Sequence, residues 1–290
     1  MSARLLEGRE AAARLLEELR PRAEALAARR GRPPRAVSLL VVPDEATLAY
    51  ARQQRRVAAR AGLLWEERVV EQAETGAVRA ALAELGTDPA VDAVLLGWPL
   101  PAGVDPLEAT LAIDPRQDAD GLHPFHLGLL AAGRPRVVPA TARAALRLVR
   151  SVVDPAGREA LVIGRSRTVG LPVALLLEQA HATVRIAHSR TRDLERAVGE
   201  AEILVAAAGR PGLVRAAWIR PGAVVVDVGT TYRDGRPEGD VEPAAAERAA
   251  ALTPVPGGVG PLTTALLMEN VLGLAEAASA GEAREGGRSA

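Results

Sequence analysis

Apolar and polar positions follow two different periods along the first half of the chain. A helical period, with apolar residues three or four apart, predicts helices over residues 10–20, 45–61 and 75–85. Short apolar runs rich in β-branched residues predict strands over residues 35–42, 66–71 and 91–98. Strands that alternate with helices predict a parallel sheet covered on both faces.

The second half repeats this alternation with a sharper signature. "EALVIGRSRTVGLPVALLLEQA" predicts a strand, a glycine-containing turn and a helix, and "ATVRIAHS", "EILVAAAG" and "GAVVVDVGT" predict three further strands. This order is typical of a doubly wound nucleotide-binding fold. We therefore expect two α/β domains, residues 1–138 and 139–262, and a disordered tail over the small and polar residues 281–290.

Composition narrows the class of protein. The chain has 290 residues, no net charge and 2% aromatic residues, which gives no basis for binding nucleic acid or a membrane surface. It has no cysteine, so disulfides and thiolate chemistry are excluded, and no apolar run approaches the ~20 residues of a membrane span. The acidic, amphipathic N-terminal segment does not resemble a signal peptide, so we expect a cytoplasmic enzyme. All basic residues other than histidine are arginine, because lysine is absent.

The turn "GRSRTVGLP", residues 164–172, is the first candidate for a binding site. It follows an apolar strand and opens a helix, where backbone N–H groups can hold a phosphate. Gly164 permits a tight turn and Gly170 permits close packing or close ligand approach. The usual three-glycine spacing is absent, so an ordinary turn between strand and helix stays open as an alternative.

The end of the next predicted strand indicates which dinucleotide binds. An NAD site usually has an acidic residue there, whereas "HSRT" supplies Ser189, Arg190 and, two residues on, Arg192. A hydroxyl and arginines suit a ribose 2′-phosphate, so NADP is favoured over NAD. A solvated arginine cluster is the alternative.

Two further segments are candidates for substrate binding. "TPVPGGVGP" (residues 253–261) is too rich in proline and glycine for a helix or strand and can bring backbone close to a flat ligand, although a plain linker is the alternative. In "QDADGLHPFHLG", one aspartate as a substrate-binding group is favoured over an aspartate pair. His123 and His126 have metal-like spacing, but Pro124 lies between them and further ligands are missing, so we expect no metal.

These motifs together resemble the bifunctional methylenetetrahydrofolate dehydrogenase/methenyltetrahydrofolate cyclohydrolase family. The resemblance rests on "VIGRSRTVGLPVALLL", "PGAVVVDVGT", "LTPVPGGVGPLTTALLMEN", "VDAVLLGWPLP" and "QDADGLHPFHLG" and runs to about residue 275. It implies two α/β domains with a folate cleft between them, a C-terminal helix (about 263–280) that completes the first domain, and a homodimer.

The resemblance also assigns site residues. It implies catalytic roles for Tyr50, beside the pterin, and Asp120, which bonds the pterin ring, and it places the position of the cyclohydrolase lysine at Gln54. The implied substrate-binding residues are Tyr50, Gly97, Trp98, Pro99, Asp120, Pro256, Gly257 and Gly258. The implied cofactor-binding residues are Thr141, Gly164, Arg165, Ser166, Val169, Gly170, Ser189, Arg190, Thr230 and Gly257.

Four residues depart from the family pattern, and the departure at position 54 concerns the cyclohydrolase activity. Gln54 replaces a lysine, Gly97 replaces the glutamine that bonds it, Trp98 replaces a leucine, and Ala140 replaces a cysteine. An amide does not titrate near neutral pH, so Gln54 predicts weak or absent cyclohydrolase activity. Hydride transfer from a methylene-bridged folate demands mainly positioning and is expected to survive. A fully bifunctional enzyme, a relative with another substrate and a catalytically silent folate- or NADP-binding protein stay open.

Overall fold

The structure, a computed structural model, describes residues 3–233 and 236–286, with side chains described up to residue 280. Its strands are β1 (Arg4–Leu5), β2 (Arg35–Val41), β3 (Leu64–Val70), β4 (Ala93–Leu96), β5 (Glu159–Ile163), β6 (Thr183–Ala187), β7 (Ile203–Ala206), β8 (Val224–Asp227), β9 (Thr231–Arg233), β10 (Arg236–Glu238) and β11 (Ala251–Leu252). Its α-helices are α1 (Arg9–Arg30), α2 (Glu45–Arg60), α3 (Thr75–Thr87), α4 (Pro106–Leu111), α5 (Pro124–Ala131), α6 (Ala140–Arg150), α7 (Gly170–Gln179), α8 (Leu194–Glu200) and α9 (Val259–Gly286).

The described residues form two compact units. Those within 1–12, 130–134 and 139–266 form the six-stranded unit, and those within 13–129, 135–138 and 267–290 form the three-stranded unit. Each unit contains a parallel sheet with helices, which confirms the predicted two-domain α/β fold. No helix of residues 3–233 and 236–286 is long and apolar enough to cross a membrane.

The six-stranded unit is a doubly wound sheet with strand order β1-β11-β8-β7-β5-β6. Neighbouring strands in this sheet run parallel. The chain leaves β5 for β6 on one side and then crosses to β7 on the other side, so the direction of winding reverses between β5 and β7. In open α/β sheets, ligands bind outside the carboxyl ends of the strands at this switch point. The topology therefore locates a ligand crevice beside Gly164, which follows β5.

The N-terminal residues pair with the six-stranded sheet, which differs from the predicted domain of residues 1–138. The Arg4 N–H donates to the Ala250 carbonyl at 2.9 Å, and the Leu6 N–H donates to the Leu252 carbonyl at 2.9 Å. The edge of β11 would otherwise leave its backbone groups unpaired, and β1 satisfies them. This long-range pairing has no local sequence signal.

The three-stranded unit has strand order β3-β2-β4, all parallel. Right-handed crossovers place α2 and α3 on opposite faces of this sheet, because β3 and β4 lie on opposite sides of β2. The helix predicted over residues 10–20 continues through Pro21 to Arg30. It continues because Leu19, Ala23 and Leu26 form one fully buried stripe.

The last helix extends further than predicted. The sequence predicts a disordered tail over residues 281–290, whereas α9 continues through Gly286. Alanines and glutamates fill its last turns, and both favour helix. Residues 287–290 lie outside the described residues.

Candidate active site

Tyr50 and Gln54 lie one turn apart on α2, as the sequence predicts. Asp44 caps this helix by accepting the Thr47 N–H at 2.8 Å. The Tyr50 side chain is 47% exposed, whereas Gln54 is only 7% exposed. Position 54 is thus a nearly buried site on the helix, where any charged group would be partly desolvated.

Gly97 marks the end of β4 and faces the same side of the sheet as α2. Val37, Leu39, Val94 and Leu96 pack with α3 on one face of the sheet, so the alternate positions, including Leu40 and residue 97, face the other. A Cβ at Gly97 would lie 2.8 Å from Leu40 Cδ2 and 3.2 Å from the Leu39 carbonyl oxygen. A methyl group of Leu40 therefore occupies the space that a side chain at position 97 needs.

Trp98 and Pro99 follow directly and differ in their surroundings. The half-buried Trp98 packs against the apolar cluster on the α3 face, and its indole nitrogen is buried with no hydrogen-bond partner among the described residues. Pro99 is exposed and follows a cis peptide bond. Of the two departures at positions 97 and 98, only Gly97 faces the α2 layer.

The two aspartates of "DAD" have different environments. Asp118 is 1% exposed and accepts the N–H groups of Gly121 at 3.0 Å and His123 at 2.8 Å. Asp120 is half-buried, and no hydrogen bond to its carboxylate occurs among residues 3–233 and 236–286. Removal from solvent, with the nearby Asp118 charge, raises the pKa of Asp120 to about 7. Asp118 therefore holds the turn, and Asp120 is available to a ligand.

Asn270 is a site residue that the sequence does not identify, although it ends the motif "LTTALLMEN". Its amide, on α9, donates to the carbonyls of Ala119 at 2.9 Å and Val138 at 3.0 Å. Ala119 directly precedes Asp120, so Asn270 fixes the backbone that carries the available carboxylate. A polar residue in an otherwise apolar helical stripe was the signal that sequence alone offered.

The two histidines beside this turn make backbone contacts. His123 Nδ1 accepts the Phe125 N–H at 3.0 Å at the start of α5, and His126 Nε2 lies 2.7 Å from the Pro115 carbonyl oxygen. In the described part of the chain, no three acidic, histidine or cysteine side chains are grouped as metal ligands.

In the six-stranded unit, Gly164 and Gly170 shape the turn after β5. Gly164 has φ of 120°, and a Cβ there would overlap the Ala207 carbonyl oxygen at the end of β7. A Cβ at Gly170 would overlap the Gly164 carbonyl. Both positions exclude a side chain, because Gly164 lies directly against the residue that follows β7 and Gly170 lies directly against Gly164.

Ser166 organises the amides at the start of α7. Its Oγ accepts the N–H groups of Val169 at 3.1 Å and Gly170 at 3.3 Å and lies 3.3 Å from Thr168 Oγ1, so the hydroxyl is bonded to the residues that open α7. Arg165 is exposed beside it, and Thr141 lies half-buried in the first turn of α6. This arrangement fits a pyrophosphate at a helix N-terminus.

Ser189, Arg190 and Thr230 lie exposed just beyond strand ends of the same sheet. Thr191 Oγ1 accepts the His188 N–H at 2.9 Å, and His188 Nδ1 accepts the Arg190 N–H at 3.1 Å, so a closed turn carries Ser189 and Arg190 after β6. Thr230 follows β8. The carboxyl edge of one sheet thus carries most of the predicted cofactor residues.

The proline- and glycine-rich loop also belongs to the six-stranded unit, but it ends at Gly258, because α9 begins at Val259 within the stretch 253–261 that the sequence predicts to be neither helix nor strand. Pro256 is exposed and follows a cis peptide bond, whereas Gly257 and Gly258 are buried. The Gly257 carbonyl accepts the Gly8 N–H at 3.0 Å, and Gly257 has φ of 112°. The N-terminal segment therefore supports this loop from within the same unit.

Comparison with known proteins agrees with the candidate residues in each unit. Residues 6–120 match the catalytic domain, and residues 139–279 the NAD(P)-binding domain, of the tetrahydrofolate dehydrogenase/cyclohydrolase family. The chain is 47% identical over 279 residues to a bifunctional protein FolD of Acidiphilium cryptum, covering 94% of this chain and 98% of that protein.

Solved structures of the same family are also similar to this chain. The FolD dehydrogenase/cyclohydrolase of Campylobacter jejuni superposes with a TM-score of 0.90 at 30% identity, covering 95% of this chain and 99% of that one. The Trypanosoma brucei enzyme, complexed with NADP cofactor and an inhibitor, superposes with a TM-score of 0.88 at 36% identity, covering 95% and 98%.

Proposed function

Since this chain belongs to the tetrahydrofolate dehydrogenase/cyclohydrolase family, we propose that it is an NADP-dependent methylenetetrahydrofolate dehydrogenase whose cyclohydrolase activity is weak or absent. The observation that carries the second half is the non-titrating Gln54 in the nearly buried position on α2. The prediction of a nicotinamide cofactor and a folate-dependent family is confirmed by the matched domains.

Hydride transfer requires the protein mainly to position the folate and the cofactor. NADP+, if bound, would supply the hydride acceptor for the methylene carbon and would become NADPH, and the folate nitrogens would stabilise the methenyl cation. We assign the pterin ring to Tyr50 and to the carboxylate of Asp120, whose position Asn270 fixes through Ala119. We assign the pyrophosphate to the turn of Gly164, Ser166 and the α7 amides. None of these roles requires Gln54 to change its protonation state.

Hydrolysis of the methenyl product needs a group that gives and takes protons. An amide at position 54 provides neither function near neutral pH. A Cβ at position 97 would lie 2.8 Å from a Leu40 methyl group, so the surroundings of Gly97 are apolar. The Leu40 methyl thus lies near the place where the family has a glutamine that bonds the catalytic lysine. This supports the loss of the proton transfers that hydrolysis needs.

The test is one spectrophotometric assay with the purified protein, 5,10-methylenetetrahydrofolate and NADP+. We expect methenyl product to accumulate and then to decay at the rate measured without enzyme. Absence of NADP+ reduction would disprove the dehydrogenase. Decay that accelerates with enzyme concentration would instead establish the bifunctional activity that relatives 47% identical carry in their names.

Cofactor preference gives a separate prediction. Replacing Arg190 and Arg192 together by alanine is expected to lower kcat/KM for NADP+ by about tenfold or more and to leave NAD+ kinetics unchanged, because only NADP+ carries the 2′-phosphate. The matched control is Arg196→Ala on α8, whose side chain pairs with Glu200 at 2.8 Å. Equal use of NADP+ and NAD+ by the parent protein would contradict the assignment.

We also propose a homodimer formed through the edge of β3. This strand pairs only with β2 among the described residues, and Leu64 and Val69 on it are 42% and 45% exposed. Two copies related by a two-fold axis can pair such edges in an antiparallel manner.

The Val69→Lys variant is expected to elute as a monomer. Light scattering should give twice 30.3 kDa for the parent chain and a single chain mass for the variant. Leu111→Lys is the control, since Leu111 is similarly exposed (46%) but lies on α4. A parent that is already monomeric would exclude this interface.

A further inference from the structure

Two buried aspartates lie at the carboxyl edge of the six-stranded sheet, outside every role assigned above. Asp227 ends β8 and is 3% exposed, and Asp240 follows β10 and is 0% exposed. Buried carboxylates are costly unless they are well bonded, so their partners show what they hold in place.

Asp240 holds the loop that follows β7. Its Oδ2 accepts the N–H groups of Ala208 at 2.5 Å and Gly209 at 3.0 Å, and its Oδ1 accepts the Arg210 N–H at 2.6 Å. Ala207, which starts this loop, has the carbonyl against which Gly164 lies. The loop therefore forms the β7 side of the crevice at the switch point.

Asp227 links Asp240 to two further loops. Its carboxylate accepts the N–H groups of Gly229 at 3.0 Å, Asp240 at 3.0 Å and Val241 at 2.9 Å. Its own N–H donates to Thr253 Oγ1 at 2.7 Å, immediately before the "PVPGG" loop. One chain of hydrogen bonds thus runs from the β7 loop to the residues that follow β8 and β11.

The packing around these carboxylates leaves no spare space. A Cβ at Gly229 would overlap the Asp240 carboxyl group, and a Cβ at Gly239 would overlap that of Asp227. The two glycines let backbone lie directly against the carboxylates, so the loops have one compatible arrangement.

We propose that Asp240 is a positioning residue for the cofactor, which fixes the 207–210 loop in the arrangement that NADP binds. This inference rests on the proposed dehydrogenase function. A loop that is already ordered loses less conformational entropy when the ligand binds, so the benefit appears in cofactor affinity. Asparagine at position 240 would place an amide donor against backbone donors and release part of the loop.

The test is a fluorescence titration of the full-length protein with NADPH. We expect Asp240→Asn to raise the Kd of NADPH about tenfold or more. With NADP+ saturating, kcat and the KM of methylenetetrahydrofolate should stay within about threefold of the parent values. Asp154→Asn is the control, because Asp154 lies before β5 at the opposite edge of the sheet, accepts the Ala156 N–H at 3.2 Å and loses the same charge.

If Asp240→Asn does not fold, a second pair of variants tests whether Asp240 positions the 207–210 loop for the cofactor. The added methyl group of Gly229→Ala would displace the Asp240 carboxyl group without a change of charge. This variant should therefore also weaken NADPH binding. Gly199→Ala is its control, since a Cβ there meets only the Trp218 carbonyl oxygen at 3.6 Å. A lower Tm with an unchanged Kd would show a purely structural role and overturn the inference. A parent protein that does not bind NADPH would overturn the proposed function as well.

Discussion

The variant Gln54→Lys/Gly97→Gln/Leu40→Val is expected to hydrolyse 5,10-methenyltetrahydrofolate about 10²-fold faster than the parent protein. General acid–base catalysis typically contributes 10²–10⁴-fold, and the lower figure allows for imperfect placement. A lysine at position 54 would have its pKa lowered by burial, because the position is only 7% exposed. Stopped-flow measurement of methenyl decay against enzyme concentration gives the result.

Leu40→Val is included because of the local geometry. Leu40 Cδ2 lies 2.8 Å from the Cβ position of residue 97, so glutamine alone would meet this methyl group. Valine removes the δ carbons and should cost about 1 kcal/mol of stability in a residue that is 2% exposed. The double variant that retains Leu40 should show a smaller gain.

Gln54→Lys alone is the matched control, since it restores the titrating group without its partner. A triple variant that folds, retains dehydrogenase activity and hydrolyses no faster than the parent would contradict the role given to positions 54 and 97. Rapid hydrolysis by the parent would contradict it more directly.

Asp120→Asn is expected to weaken folate binding while it stabilises the protein at alkaline pH. A charge-assisted hydrogen bond contributes about 1.5–3 kcal/mol, so the KM of methylenetetrahydrofolate should rise about 10–100-fold. NADPH affinity should not change. Steady-state kinetics with each substrate varied in turn separates the two effects.

The stability change follows from the pKa of Asp120, which burial and the Asp118 charge raise to about 7. An unfolded aspartate titrates near 3.9, so the parent's favourable contribution is complete below about pH 4 and is lost as pH rises through 7. Asparagine does not ionise and avoids this loss. We expect the variant to be more stable by about 1–3 kcal/mol at pH 8, and equal to the parent near pH 4.

Asp114→Asn is a control for which the change in the free energy of unfolding at pH 8 should have the opposite sign. The hydrogen bond from Arg116 holds the pKa of Asp114 below its usual range, so its ionised form stabilises the native state at neutral pH. Its removal should reduce the free energy of unfolding at pH 8 by less than about 1 kcal/mol, with KM unchanged. Urea unfolding at pH 4, 6 and 8 compares the three proteins. Destabilisation of Asp120→Asn at pH 8 would show that its carboxylate is satisfied in the native state.

Sequence by itself determined what depends on residue type and local period. The alternating pattern predicted β2 to β8 and the helices α1, α2, α3 and α7, and the motifs at residues 164–172 and 253–270 indicated the family. It also set Gln54 one turn after Tyr50 on the same helix, because i and i+4 share a helix face.

Tertiary structure decided what depends on residues far apart in the chain. The family resemblance singles out Asp120, but only the fold gives the physical reason, which is that Asp118 is bonded to backbone N–H groups. The Leu40 methyl beside Gly97, the pairing of β1 with β11 and the hold of Asp240 on residues 208–210 are likewise set by packing between distant segments. A sequence pattern records which face a side chain takes, but not which distant group meets it there.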